Sequence, residues 1–80
     1  MEVPEGWAEI EGALQREFRF KDFSAAINFV NRLAEVAETA GHHPDISIHW
    51  NRVVVRWKAA HAITDRDAEL AAQTDGLAES

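Results

Sequence analysis

The stretch GHHPDISIHWNRVVVRW, residues 41–57, decides the fold, because it carries the chain out of a helix and into a sheet. Gly41 can close a helix in the left-handed conformation, and Pro44 cannot continue one. Proline also holds the residue before it extended, so His42 and His43 should project to opposite sides between a helix end and a strand start. Beyond Pro44 the apolar residues Ile46, Ile48 and Trp50 alternate with Ser47 and His49, which is the period of a half-buried strand. Residues 53–57 supply its antiparallel partner, and Asn51-Arg52 is expected to form the turn, since Asn tolerates a left-handed backbone.

Upstream of this stretch the spacing changes from two to about 3.6. Ala26, Phe29, Leu33, Val36 and Ala40 fall on one face of a helix that opens at Asp22 or Ser24 and runs to Ala40. Ile27, Val30, Ala34 and Ala37 make a second apolar row beside the first. Only Asn28, Asn31, Arg32, Glu35 and Glu38 are left to meet water. A stripe this wide calls for two packing partners, the chain's own sheet and a second copy of the chain, as a homodimer or homotetramer. Further upstream, residues 7–20 read as a hairpin turning at Glu11-Gly12, with Leu14, Phe18 and Phe20 on one face and Gln15, Glu17 and Arg19 on the other. Downstream, Thr64-Asp65-Arg66-Asp67 is a helix start with Thr64 as N-cap, and Ala68, Leu70, Ala71 and Leu77 continue it. The order is therefore β-β-α-β-β-α. It predicts an α+β fold, one four-stranded antiparallel sheet with the helices packed on one face, and residues 1–80 as one domain.

Composition removes several kinds of chemistry. The chain has 80 residues, enough for a modest core that buries about 60–65% of the unfolded surface. With no cysteine there is no disulfide, no thiolate nucleophile and no cysteine metal site, so polar chemistry rests on histidine and carboxylate. A net charge of −6, with Lys and Arg scattered singly, disfavours nucleic acid as a partner. The absence of a long apolar run disfavours a membrane, and the short acidic start lacks the features of a secretory signal, so a cytoplasmic location is expected. Four histidines lie between positions 42 and 61, but adjacent imidazoles rarely reach one ion and no further donor completes a tetrahedral set, so no metal site is expected. On the residues alone, a structural role for His42 and His43, one capping the helix and the other packed or hydrated, is the commonest meaning of such a pair, and the pair by itself does not decide a function.

Residues 18–53 resemble the pterin-4a-carbinolamine dehydratase family, whose members are also known as dimerisation cofactors. The likeness rests on Phe18, Phe20, Asp22 and Phe23 before the helix, on Glu38 four residues before the first histidine, and on His42-His43-Pro44. It continues in Trp50, six residues after the proline, and in Thr64 and Asp67. It implies the α+β sandwich read above. It also implies a hydro-lyase that dehydrates 4a-hydroxytetrahydropterin to quinonoid dihydropterin in tetrahydropterin recycling, without cofactor or metal. The reaction needs one proton delivered to the leaving hydroxyl and one removed from a ring nitrogen, tasks suited to imidazole. By this resemblance His42, His43 and a third histidine are catalytic, and Glu38, Pro44, Trp50 and Asp67 face the substrate. The family's third histidine corresponds to Ala60, with His61 one residue later, and a one-residue shift is expected to bring His61 into the pocket. The alternative that the resemblance leaves open is an impaired pterin-binding or protein-interaction module on the same fold.

Overall fold

The computed structural model describes residues 3–58 and 63–79. Its elements follow the order expected: β1 (Ala8–Ile10), β2 (Ala13–Arg19), α1 (Phe23–Ala40), β3 (Asp45–His49), β4 (Arg52–Trp57) and α2 (Asp65–Ala78). The four strands form one antiparallel sheet in the order β1-β2-β4-β3, and both helices cover the same face. Glu11 and Gly12 take φ of 50° and 78°, the left-handed pair that lets a two-residue turn follow the twist of β1 and β2. Asp22, rather than Ser24, caps α1, its Oδ1 accepting the Ala25 N–H at 2.8 Å. At the other end Gly41 lies at φ 67°, its N–H donating to the Glu38 carbonyl while the His42 N–H donates to the Ala37 carbonyl at 3.2 Å. This double closure fixes the His42 backbone to the end of α1.

The core lies between the helices and the inward face of the sheet. Leu14 and Phe18 from β2, Val53, Val55 and Trp57 from β4, Ala26, Phe29, Leu33 and Ala37 from α1, and Leu70 and Ala71 from α2 are all buried. Enclosing a side chain such as Phe29 or Leu33 stabilises the fold by about 1.5–3 kcal/mol. Phe29 also packs its ring against Phe18 and Phe20, with centroids 5.1 and 5.0 Å away. The buried stripe of α1 ends at Ala37 rather than at Val36 and Ala40. Those two line a groove of about 450 Å³ between α1 and α2, together with Leu70 and Leu77. Asp75 of α2 draws in the N-terminal segment, accepting from Trp7 Nε1 at 3.0 Å and from Arg16 Nη1 at 2.9 Å.

The β3–β4 turn differs from the expectation. Its central residues are Trp50 and Asn51, because His49 already pairs with Arg52. Trp50, not Asn51, carries the left-handed backbone at φ 57°, an uncommon conformation for so large a residue. Asn51 serves a different purpose. Its carbonyl accepts the Phe20 N–H at 2.8 Å and its Nδ2 donates to the Phe20 carbonyl at 3.0 Å, clasping the turn to the chain just beyond β2. Among the described residues no helix is long and apolar enough to cross a membrane.

Candidate acid–base site

The C-terminus of α1 and the N-terminus of α2 meet, and Arg66 in the first turn of α2 donates to the Ala40 carbonyl at the end of α1. This junction places the side chains of Glu38, His42, His43 and Asp67. His42 turns inward. Its Nε2 lies 2.9 Å from Oδ1 of Asp67, a residue with no exposed surface. The other oxygen of Asp67, Oδ2, accepts the Thr64 N–H at 2.9 Å and the Thr64 hydroxyl at 3.2 Å. Asp67 thus takes two donors from Thr64 on one oxygen, and its other oxygen faces His42, an arrangement that is satisfied when His42 is the tautomer with its proton on Nε2. The ring's second nitrogen, Nδ1, has no partner among the described residues and is the atom left for chemistry.

One face of the His42 ring meets Trp57 in an offset stack, the indole nearly parallel to it at 20° with centroids 5.6 Å apart. Trp57 is the last residue of β4, opposite Leu14 in the sheet, and is fully buried. Its Nε1 donates to Thr74 Oγ1 at 2.9 Å, and the Thr74 hydroxyl donates to the Leu70 carbonyl one helical turn earlier, at 2.7 Å.

His43 turns outward, as Pro44 requires. Its Nε2 lies 2.6 Å from Oε2 of Glu38, with side chains 64% and 75% exposed. Water screens such a pair, which orients the ring more than it stabilises the fold. Pro44 is half-buried directly beside the pair of histidines. Among the described residues no three metal-ligating side chains gather.

Two residues expected at the substrate are placed differently, one remote from the histidines and one enclosed behind His42. Trp50 is 71% exposed at the far end of β3, a strand five residues and about 17 Å long, so a single chain does not bring it to the histidines. The physical reason is the tight turn, which takes Trp50 out of the strand. Asp67 is adjacent to His42 but wholly enclosed, so it holds the imidazole instead of facing a ligand. His61 and Ala60 lie outside the described residues. The groove between α1 and α2 contains neither His42 nor His43. Trp57 and Thr74 were not singled out from the sequence. The alternation of β4 shows that Trp57 points inward, but its stacking partner comes from another element.

The junction presents two carboxylate-paired imidazoles, side chains whose chemistry is the gain and loss of a proton near neutrality. The model of the family named pterin 4 alpha carbinolamine dehydratase matches residues 1–77, and the chain belongs to that family. A Gloeobacter violaceus protein provisionally named pterin-4-alpha-carbinolamine dehydratase 2 is 55% identical over 69 residues, covering 81% of this chain and 75% of its own. The crystal structure of a transcriptional coactivator/pterin dehydratase from Brucella melitensis is similar at TM-score 0.84 and 35% identity, covering 92% of this chain and 83% of that one. A pterin dehydratase-like protein identified as a RuBisCO assembly factor in the alpha-carboxysome superposes at TM-score 0.85 with 27% identity, covering 99% of this chain and 96% of its own.

Proposed function

We propose that the protein dehydrates 4a-hydroxytetrahydropterin to quinonoid dihydropterin by histidine acid–base catalysis. The observation that carries this reading is His42, whose Nε2 is held by a buried carboxylate while Nδ1 has no partner among the described residues. In the reaction one imidazolium gives its proton to the 4a-hydroxyl as the C4a–O bond breaks and water leaves. A neutral imidazole takes the N5 proton, and the N–H electron pair becomes the C4a=N5 double bond. His42 and His43 divide these two roles, Glu38 orients His43, and Pro44 holds the His43 backbone extended and so sets the direction in which its ring leaves the chain. His61 belongs to the proposal as the third imidazole.

Turnover of chemically generated carbinolamine, followed by absorbance, tests the reading. The parent should accelerate dehydration, and variants at His42 and His43 should not do so as well. A second reading, a protein-interaction module that has lost turnover, is favoured by one observation, the likeness over nearly the full length to the RuBisCO assembly factor. It would show as a folded parent with no acceleration. Under either reading we propose self-association in the cytoplasm, supported by the exposed apolar side chains Phe23, Ile48 and Trp50 and by the unpaired outer edge of β3.

A further inference from the structure

We infer that Trp57 is a positioning residue for His42, an inference that rests on the dehydratase reading and adds to it. A hydrogen bond from Nε2 fixes one atom of an imidazole, and the ring can still swing about that point. The Trp57 indole, 20° from parallel with its centroid 5.6 Å from that of the imidazole, opposes tilting of the ring toward it. Two constraints together, one on an atom and one on a face, set the direction in which Nδ1 points. That direction matters because a proton is transferred only within about 2.6–3.2 Å, in good alignment.

Trp57 can serve in this way because it is itself immobile. It is fully buried, and its indole N–H is held by Thr74, whose hydroxyl is held in turn by the α2 backbone. Asp67 and Thr74 are seven residues apart, two turns along the same buried face of α2. Both constraints on His42 therefore originate on one helix, Asp67 acting directly and Thr74 through Trp57. The catalytic ring is registered against α2 even though its own backbone belongs to the end of α1. An indole stacked on the ring also keeps water from the part of that face it meets.

Three variants test the inference by kinetics and by the His42 ring resonances in two-bond proton–nitrogen spectra. Trp57→Leu keeps an apolar side chain but removes the aromatic face. It should lower kcat by about tenfold to a hundredfold, the scale of a small misplacement of a reacting group, with KM changed far less. Trp57→Phe restores a face and should lose least. Thr74→Val, close in shape to the parent residue, frees the indole N–H and should lower kcat about threefold to tenfold. In the parent the His42 Nε2–H signal should be resolved. It should broaden in Trp57→Leu and Thr74→Val and persist in Trp57→Phe. Should Trp57→Leu fail to fold, Thr74→Val and Trp57→Phe carry the same comparison. A folded Trp57→Leu or Thr74→Val protein with the parent's kcat and the parent's ring signal overturns the inference. If the parent itself shows no turnover the dehydratase reading fails, while the ring signal still decides whether Trp57 orders His42.

Discussion

His42 and His43 share a peptide bond but not a carboxylate partner, Asp67 serving the first and Glu38 the second. Pro44 sends them to opposite sides, and that much was legible in the sequence, because the constraint is local. Glu38 was expected at the substrate by the family resemblance, and the structure sets it against His43, five residues on, an exposed pair that the end of α1 brings together. The partner of His42 was read in the same way. Asp67 is 25 residues away in the chain, and only the docking of α2 on α1 turns a residue expected at the substrate into a buried carboxylate behind an imidazole. Asp67→Asn should therefore act on both rate and stability. An amide in that place can satisfy neither Thr64 nor His42 fully, and an unmet buried donor costs about 1–3 kcal/mol. Urea unfolding should show that loss, and kcat should fall with it; an unchanged midpoint would mean the carboxylate does not hold the junction. For His61, proposed as the third imidazole in place of the histidine that the family resemblance puts at position 60, His61→Ala should slow dehydration at unchanged thermal midpoint. If it does not, Ala60→His is the change that should raise the rate.

Helices and strands were legible where a run of residues repeats one period. The boundaries of α1 at Asp22 and Gly41 and the start of α2 at Thr64 followed from single capping residues. The β3–β4 turn was misplaced by one position, because the rule that gives a left-handed backbone to Asn was applied to Asn51, whereas pairing of His49 with Arg52 leaves that conformation to Trp50. Tertiary need decided the matter, as Asn51 is committed to Phe20. Gly41 offers a test at this scale. Nothing crowds a Cβ added there, so Gly41→Ala carries only the cost of a left-handed backbone, about 1–2 kcal/mol. Denaturant unfolding should show a loss of that size. Because the same residue sets the His42 backbone, kcat should fall as well; an unchanged kcat would mean the closure of α1 does not aim the ring.

For the whole molecule, the wide apolar stripe of α1 was expected to need a second partner. α2 meets part of that need, and Val36 and Ala40 remain at the groove between the helices. The open edge of β3 and the exposed Ile48 and Trp50 add apolar surface that an 80-residue chain does not cover by itself. Sedimentation at tens of micromolar, the range of ordinary oligomer affinities, should show a dimer or tetramer, and a monomer would contradict the expectation. The central claim, that this fold serves to hold histidines for proton transfer to and from a hydroxylated pterin, is tested most directly by carbinolamine turnover in the parent and in His42→Ala. The account predicts clear acceleration by the parent and a loss of roughly 10²–10⁴-fold in a variant whose circular dichroism is unchanged. A parent that leaves the spontaneous rate as it is, or a folded His42→Ala protein as fast as the parent, would contradict it.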